Sequence, residues 1–292
     1  MTTPRPKGYL RRRVAMIPKS LSQDRDLLGL RSLPPATRAG LVAQKYVCLL
    51  RLLRGGAPAM RVGAARVGVH NVFEVGTLIS SIVDVSVLAE SVGAGWSGPS
   101  AAPSIVDVGA NIGQFCAAAK LFWPEAAVVC FEPDPDVAVA LRSNVGGLDG
   151  VTIRQVGLGA EAAELTWHKH KLSAMSSFRP RSDDGGLDHE SPRVELPVHR
   201  LDDELVDVAR IDLLKVDVEG FELEVLRGAP ATLARAGALL VEATLTSAEG
   251  ASNLEVFSLV HEAVPSARIV GVGRVYGPQS APICVDVLIS LS

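Results

Sequence analysis

The sequence predicts an α/β protein built on a parallel β-sheet with helices on both faces. From residue 101 onward, short apolar runs alternate with helix-length segments, which is the pattern of parallel strands joined by crossover helices. Two of the runs end in polar turns that contain Gly109 and Gly220. Ligands of such sheets bind beyond the carboxyl ends of the strands, so the two turns predict one shared site.

Five apolar runs are expected to form the parallel part of the sheet, at residues 105–108, 127–132, 151–156, 211–217 and 238–243. Helices are expected between them, at about 113–122, 135–145, 220–235 and 251–263. Two late runs, Ile269 to Val275 and Ile283 to Ser290, are interpreted as a terminal pair of strands. We expect this pair to add an antiparallel strand at one edge of the sheet.

Residues 157–200 interrupt the alternation between the third and fourth strands. The segments Glu164 to Trp167 and Val194 to Val198 are interpreted as strands, and residues 182–193 as a polar loop. Long excursions in compact domains are more often functional than not. We therefore expect this insertion to cover or border the active site.

Residues 1–100 precede the core, which spans residues 101–292, and the loop at 93–103 is the predicted boundary between the two. Residues 1–36 show no clear periodicity. A helix is expected over Leu41 to Leu53, and Gly55 follows its end. One or two strands and then a helix from about Val75 are expected in the rest of this extension.

The overall charge of −3 hides an asymmetry between the two ends of the chain. Residues 1–68 hold fourteen Lys and Arg residues against two acidic ones, a charge of +12, whereas residues 69–292 carry −15. A basic segment of this kind suits an anionic partner, whether a phosphate on a substrate, an acidic membrane surface or nucleic acid. The alternative is that the segment docks on the acidic remainder of its own chain.

The spacing of the cysteines and the length of the apolar runs indicate the cellular compartment to expect. Four cysteines are scattered without a C-x-x-C pair, which indicates neither a zinc site nor a disulfide framework. No signal-peptide pattern is seen near the start, and the apolar run from Leu78 to Leu88 is interrupted by Asp84. We expect a soluble, cytoplasmic protein with free thiols.

The segment from Ile105 to Gly113 carries the first chemical signal. An apolar strand runs into a turn in which glycine lets the backbone approach a ligand, and the next helix presents unpaired N–H groups. The turn is not a P-loop, because no Gly-Lys-Ser/Thr follows. It also departs from G-x-G-x-x-G, since its central residue is Asn111, a residue type that tolerates left-handed geometry. The pattern suits a nucleotide-like ligand.

Two acidic residues accompany this turn. Glu132 ends the second strand, in the position where a carboxylate about 20 residues downstream of a glycine turn binds ribose hydroxyls. A solvated carboxylate at the strand end is the alternative. Asp107 lies inside the first apolar strand, where a carboxylate is costly unless it is paired. It is expected either to hold the glycine loop or to face the ligand.

The fourth strand ends in Asp217 and Glu219. Strands one and four would be neighbours where the strand order reverses, so Asp217 should face the same crevice as Gly109. Carboxylates there could act as a general base, bind a divalent cation or orient a cofactor. For Glu222 and Glu224, favourable charge at a helix N-terminus is a sufficient explanation.

Together these segments resemble the FkbM family of S-adenosylmethionine-dependent methyltransferases, over about residues 101–245. The motifs that carry the resemblance occur at residues 107–113, 131–133, 201–203, 212–220 and 225–229. The resemblance implies a class I methyltransferase Rossmann-like sheet of seven strands, in the order 3-2-1-4-5-7-6 with strand 7 antiparallel. The two apolar runs at the C-terminus fit that ending.

The resemblance also implies roles for individual residues. The glycine turn should pass under the methionine part of the donor, Glu132 should bind its ribose, and Asp217 should sit near the sulfonium. Ser176 and Ser177 match a small polar feature of the insertion. The implied donor-binding residues are Asp107, Gly109, Asn111, Gly113, Glu132, Pro133, Asn144, Val156, Gly157 and Asp217.

The activity that the resemblance implies is methyl transfer from S-adenosylmethionine to a hydroxyl of a sugar, glycolipid or natural product. The candidates for the base that accepts the hydroxyl proton are Asp217, Glu219, His168 and His170. A divalent metal is compatible with the carboxylates but not indicated. Expected partners are a small-molecule or glycolipid acceptor, an anionic membrane and a second copy of the chain. A nucleic-acid methyltransferase and a non-catalytic module that binds NAD are the alternatives, and the low content of aromatic residues disfavours the former.

Overall fold

The described residues alternate between strands and helices along the chain. The structure, a computed structural model, describes residues 21–90, 101–179, 194–245, 253–276 and 284–292. Within them, the strands are β1 (Ala59–Val62), β2 (Ala65–Gly68), β3 (Ser104–Val108), β4 (Ala127–Phe131), β5 (Val151–Arg154), β6 (Gly157–Leu158), β7 (Ala163–Trp167), β8 (Val194–His199), β9 (Ile211–Val216), β10 (Ala236–Thr244), β11 (Arg268–Tyr276) and β12 (Cys284–Ser290). The helices are α1 (residues 21–29), α2 (Pro35–Leu53), α3 (Val72–Glu90), α4 (Gln114–Phe122), α5 (Pro135–Val145), α6 (Leu201–Glu204), α7 (Glu222–Arg227), α8 (Pro230–Arg235) and α9 (Asn253–Ala263).

Seven of these strands form the main sheet, in the order β11-β12-β10-β9-β3-β4-β5. The strands from β10 to β5 are parallel to their neighbours, whereas β12 pairs antiparallel with both β10 and β11. Numbered within the predicted core, this is the order 3-2-1-4-5-7-6 with strand 7 antiparallel. The predicted fold class is confirmed.

The central strands are apolar because helices cover both faces of the sheet. All six residues of β9 are buried. Alternate residues of a strand point to opposite faces, and Ile105 accordingly joins the hydrophobic cluster on one face while Val106 joins the cluster on the other. Asp107 follows in the same strand and is also fully buried, so its charge needs a partner within the protein.

Residues 21–90 pack directly on the helices of the sheet. α3 and the β1–β2 hairpin contact α4 and α5, and the apolar side chains of both regions form one hydrophobic cluster. The backbone N–H of Gly68, in β2, also donates to Asn144 Oδ1, in α5, at 2.9 Å. The described part of the basic extension therefore shares a core with the sheet.

α3 begins at Val72, three residues before the predicted start, because the side chains before it cap its first turn. Asn71 Oδ1 accepts the N–H of Glu74 at 2.9 Å, and Glu74 Oε2 accepts the N–H of His70 at 2.6 Å. By length and composition alone α3 could cross a membrane. Half of that stretch is buried inside the protein, where α3 packs on α4.

Two helical segments differ from the sequence-based expectations. Residues 21–29 are helical although no periodicity indicates it, since Leu27 and Leu30 are held by tertiary packing. The single helix expected over 220–235 is wrong, because the chain forms α7 and α8 with a break before Pro230. Proline has no N–H to continue a helix and suits the first turn of a new one. The predicted loop at 182–193 and most of the predicted boundary lie outside the described residues.

The insertion forms a small sheet of its own. β7 pairs antiparallel with β8, and β6 pairs parallel with β8, in the order β6-β8-β7. The chain between β7 and β8 includes a short 3₁₀ turn at Ser173–Met175. This turn lies against the glycine turn that follows β3, as the hydrogen bonds below show.

Candidate active site

A cavity of about 470 Å³ opens at the carboxyl ends of the central strands. Its lining includes the turn after β3, the end of β4, the segment after β9, the insertion, α3, the start of α4 and residues of β10 and β12. Val108 is in register with both Phe131 and Val216, so β3, β4 and β9 end at the same level. This register brings Gly109, Glu132 and Asp217 to one cavity.

Gly109 can be no other residue type in this backbone. Its φ is +78°, and a Cβ built on it would lie 1.9 Å from the backbone oxygen of Asp217. The N–H groups of Gly109 and Ala110 both donate to the carbonyl of Phe131, at 3.1 and 2.9 Å. The turn is therefore fixed between the ends of β4 and β9.

Asn111 joins the glycine turn to the insertion. Its φ of +49° lies in the left-handed region, and its Oδ1 accepts the N–H of Ile112 at 2.7 Å. Its Nδ2 donates to Ser173 Oγ at 3.2 Å, and the Ser173 hydroxyl lies 3.3 Å from Asn111 Oδ1. Ser177 Oγ, also in the insertion, donates to the carbonyl of Val218 at 3.1 Å. The insertion is thus attached to both turns at the carboxyl edge of the sheet.

Glu132 is buried rather than solvated, with 5% of its surface exposed. Its Oε2 accepts the N–H of Asn111 at 3.0 Å, and its Oε1 accepts the N–H of Asp134 at 2.9 Å. Burial raises the pKa of Glu132 to about 7, although these two hydrogen bonds oppose the rise. Each oxygen has a further lone pair that can accept a ligand hydroxyl, and Glu132 lines the cavity.

The partner of Asp107 is Lys215, for which the sequence motifs predict no role. Its Nζ lies 3.2 Å from Asp107 Oδ1 and 3.3 Å from Asp217 Oδ2. Burial lowers the pKa of Lys215, but the charges of the two carboxylates outweigh burial and raise it above its ordinary value. Asp107 is fully buried, whereas 41% of the Asp217 side chain is exposed. The lysine therefore neutralises a carboxylate beneath the cavity and contacts one that lines it.

The segment after β9 has an uncommon backbone conformation. Glu219 has a φ of +55°, which is rare for a residue other than glycine. The buried Glu222 holds this segment, since its Oε1 accepts the N–H groups of Val218 and Gly220, each at 3.0 Å. Glu219 lines the cavity. Glu222 has a structural role, as the sequence suggests.

Glu242 and Cys284 also line the cavity, although neither was expected there. They lie on the neighbouring strands β10 and β12, and Cys284 Sγ donates to Glu242 Oε1 at 2.9 Å. Burial, followed by the charges of Asp217 and Glu219, raises the pKa of Glu242 to about 9. The carboxyl group of Glu242 therefore holds a proton at neutral pH.

The wall formed by the insertion is aromatic. Phe178 lies between Trp167 and Phe221, with ring centroids 4.8 and 5.7 Å away. A side chain at Gly157 would overlap the Phe178 ring, since a Cβ there would lie 2.5 Å from it. Val156 and Gly157 line this part of the cavity, and so does Pro133. Flat apolar surfaces of this kind suit an aromatic base.

α3 contributes a further wall that the sequence did not indicate. Phe73, Thr77 and Ser81 line the cavity. Their spacing places them on one face of the helix, and Gln114 Nε2 at the start of α4 donates to Thr77 Oγ1 at 3.2 Å. The extension thus contributes to the site itself.

Three of the predicted donor-binding residues do not line the cavity. Asp107 lies beneath it, paired with Lys215. Gly113 precedes α4 and packs against α5. Asn144 is buried, and its Nδ2 donates to the carbonyl of Ile112 at 2.8 Å, so it supports the glycine turn from behind. All three residues shape the site from outside it.

The two histidines proposed as bases are also placed away from the cavity wall. The backbone of His168 pairs with that of Ser177, and the ring of His170 accepts the N–H of Leu172 at 3.0 Å. Neither imidazole lines the cavity. Their position in the insertion suggested both, but the hydrogen-bond contact of the His170 ring is with its own loop, at Leu172.

In the described parts of the chain, no group of three or more His, Cys, Asp or Glu side chains is arranged to hold a metal ion. The four cysteines are free thiols.

The strand order and the glycine turn at the switch point define a class I methyltransferase fold with a nucleotide-type cavity. The family profile described as "Methyltransferase FkbM domain" matches residues 107–264. This chain belongs to the FkbM methyltransferase family.

Three relatives illustrate the family. Methyltransferase 1 of Beauveria bassiana is 34% identical over 142 residues, which cover 42% of this chain and 57% of the relative. The 2-O-methyltransferase NoeI of Sinorhizobium fredii is 28% identical over 46% of this chain and 60% of its own. The 31-O-demethyl-FK506 methyltransferase FkbM of Streptomyces tacrolimicus is 31% identical over 42% and 58%. The chain spans about three fifths of the length of these curated relatives.

Proposed function

We propose that this protein is an S-adenosylmethionine-dependent O-methyltransferase that acts on a hydroxyl group of a sugar, a glycolipid or a natural product. The observation that carries the proposal is the convergence of Gly109, Glu132 and Asp217 on one cavity at the switch point of the sheet. Membership of the FkbM methyltransferase family supports methyl transfer. Relatives named for 2-O and 31-O methylation support an oxygen acceptor.

The cavity suits an adenosine-containing donor. The backbone at Gly109 has no side chain between it and a ligand. Glu132 offers carboxylate lone pairs to a pair of ribose hydroxyls, and the wall at Phe178 offers a flat surface to an aromatic base. Glu132 and the aromatic wall thus suit the adenosine part of the donor, and the open backbone at Gly109 suits its methionine part.

The charges at the other end of the cavity suit the reactive part of the donor. S-adenosylmethionine, when bound, supplies a methyl group on a positively charged sulfur. Asp217 and Glu219 line the cavity beside the glycine turn and complement a positive charge. The protein then has to align donor and acceptor, exclude water and remove the hydroxyl proton. Asp217, held by Lys215, is placed to orient the donor's amine or its sulfonium end.

The acceptor is proposed from charge as well as from the relatives. Several arginines of the basic segment are exposed, among them Arg31, Arg51, Arg54 and Arg61. An acceptor that carries phosphate, or a glycolipid in an anionic membrane, would be attracted by such a surface. A cytoplasmic location and a homodimer remain predictions.

The test is transfer of a labelled methyl group to a panel of methyl glycosides, glycolipids and hydroxylated macrolides. We expect label in at least one hydroxyl compound with the wild type, and roughly 10²-fold lower turnover with Asp217→Asn, the scale of a lost positioning group. The exposed Asp149→Asn is the matched control and should leave turnover unchanged. Added chelator shows whether the reaction needs a divalent metal. A fully active Asp217→Asn protein would contradict the assignment of Asp217.

A further inference from the structure

Glu242 lines the cavity on a strand that is not adjacent to the strand of the glycine turn. It is near the carboxyl end of β10, and β9 separates β10 from β3 in the sheet. Two strand spacings, about 10 Å, therefore separate the strand of Glu242 from the strand of the glycine turn. The Sγ–H of Cys284 donates to Glu242 Oε1 at 2.9 Å and fixes the orientation of the carboxyl group. A ligand that extended from the glycine turn past the end of β9 would meet the end of β10 next.

Three other acidic residues lie at or near the cavity, and they differ from Glu242 in their contacts or in their position. Asp217 is in an ion pair with Lys215. Glu222 uses Oε1 to hold the N–H groups of Val218 and Gly220. Glu219 lies in the turn after β9, in a left-handed backbone conformation. Glu242 is placed on a strand, which holds a reacting group more precisely than a turn does.

We propose that Glu242 is the general base that takes the proton from the acceptor hydroxyl, with Cys284 as the residue that positions its carboxylate. This inference rests on the proposed function and deepens it. The acceptor would bind between α3 and the β10–β12 edge, where Thr77, Ser81 and Thr244 line the cavity. Hydroxyl side chains of this kind suit a polyhydroxylated acceptor.

The reaction step balances with Glu242 as the base. The acceptor oxygen forms a bond to the methyl carbon, the carbon–sulfur bond breaks, and its electron pair remains on sulfur. The hydroxyl proton moves to the Glu242 carboxylate. A sulfonium, a carboxylate and an alcohol thereby become a thioether, a carboxylic acid and a methyl ether. The proton then leaves to solvent.

The ionisation of Glu242 fits this role. Burial raises its pKa to about 9, and the charges of Asp217, Glu219 and Glu222 act in the same direction, whereas the hydrogen bond from Cys284 opposes them. The other charged side chains on the neighbouring strands are Asp212 and Lys215 on β9 and Asp286 on β12, which is directly opposite Glu242. A cationic sulfonium beside this group favours its carboxylate form. Donor binding would therefore release the proton and prepare the base.

Calorimetric titration of the wild type tests this without an acceptor. S-adenosylmethionine and the neutral S-adenosylhomocysteine are titrated near neutral pH in two buffers that differ in ionisation enthalpy. We expect the cationic donor to release about one proton more per site than the neutral product analogue. Equal proton release by both ligands would overturn the inference while leaving the proposed function intact. Failure of both ligands to bind would refute the proposed function, and the inference with it.

Variants of single residues identify which side chain releases the proton. Glu242→Gln should keep the affinity for S-adenosylhomocysteine within about twofold, lose the extra proton release and lower turnover roughly 10²-fold. Cys284→Ala should lower turnover less than Glu242→Gln and retain the proton release. The exposed Glu125→Gln is the control and should match the wild type in all three readouts. If Glu219→Gln abolishes the extra release and Glu242→Gln does not, Glu219 is the base and the assignment to Glu242 is wrong.

Discussion

Lys215 Nζ lies 3.2 Å from Asp107 Oδ1, and the two residues form an ion pair within the sheet beneath the cavity. Among the described residues, neither oxygen of Asp107 has a hydrogen bond of good geometry, so the pair is held by charge. Asp107 and Lys215 are directly opposite each other in neighbouring parallel strands. The pair therefore joins the two strands whose ends carry Gly109 and Asp217.

We predict that Lys215→Met lowers the free energy of unfolding by about 3–5 kcal/mol, because it leaves a buried carboxylate unpaired. Urea unfolding measures this loss. Lys171→Met, at an exposed position, is the matched control and should change stability little. A double variant, Asp107→Leu with Lys215→Met, should recover part of the loss. A loss below about 1 kcal/mol for Lys215→Met would show that the pair is not needed.

Gly109→Ala should displace the turn after β3 and abolish donor binding. The added Cβ would overlap the backbone oxygen of Asp217, and backbone cannot move aside as a flexible side chain can. Gly40→Ala, in α2, is the control, since nothing lies within 4 Å of its Cβ and alanine favours a helix by roughly 1 kcal/mol. Titration with S-adenosylhomocysteine compares the two. Unchanged affinity in Gly109→Ala would mean that the ligand does not use this turn.

Stability should depend on pH through Glu132. Its pKa is raised to about 7 in the folded protein from an ordinary value of 4.5. The folded state therefore binds this proton more tightly than the unfolded chain, and the contribution to stability is fully present below pH 4.5 and lost as pH rises through about 7. The shift corresponds to at most roughly 3 kcal/mol.

Urea midpoints between about pH 5 and pH 8 check this prediction. The wild type should lose stability over that range in the absence of ligand, and Glu132→Gln should remove part of the slope. The same slope in both proteins would assign the titration to other groups. Glu242 contributes a slope of the same sign up to a pKa of about 9, so the comparison with Glu132→Gln is needed to separate them.

The basic segment is predicted to bind an anionic surface. Exposed charges are screened by salt, so binding to vesicles that contain anionic lipid should fall steeply between about 50 and 500 mM salt. The pair Arg51→Glu and Arg54→Glu should weaken the binding, because both arginines are exposed at the end of α2. Vesicles of neutral lipid serve as the control. Equal binding to neutral vesicles, or binding that salt does not change, would contradict an electrostatic role.

Much of the fold follows from the sequence because the parallel strands are buried apolar runs of characteristic length. Gly109, Glu132 and Asp217 could also be assigned to one cavity, since each follows a strand and parallel strands end at a common edge. The role of Lys215 could not be predicted, because it is a single charge inside an apolar run. Only the register of β3 and β9 shows that it is opposite Asp107.

The rest of the site depends on tertiary packing. Glu242 and Cys284 meet because β10 and β12 pair across a long separation in the chain. α3 lines the cavity because it packs on α4, and no motif marks that contact. His168 and His170 lie in the insertion, but neither lines the cavity, and the ring of His170 instead accepts the N–H of Leu172. Asn144 was expected to contact the ligand. Its side chain instead donates to the carbonyl of Ile112 and supports the glycine turn from behind.

A calorimetric titration of the wild type with S-adenosylhomocysteine and, separately, with NAD tests most directly whether the cavity binds the methyl donor. We expect each chain to bind S-adenosylhomocysteine at one site with micromolar or tighter affinity, and to show no measurable binding of NAD. The cavity provides the reason, because we propose that Glu132 binds the adenosine part of the donor, and that the turn at Gly109 and Asp217 bind its methionine part. Binding of NAD with equal or greater affinity, or no binding of S-adenosylhomocysteine, would contradict it.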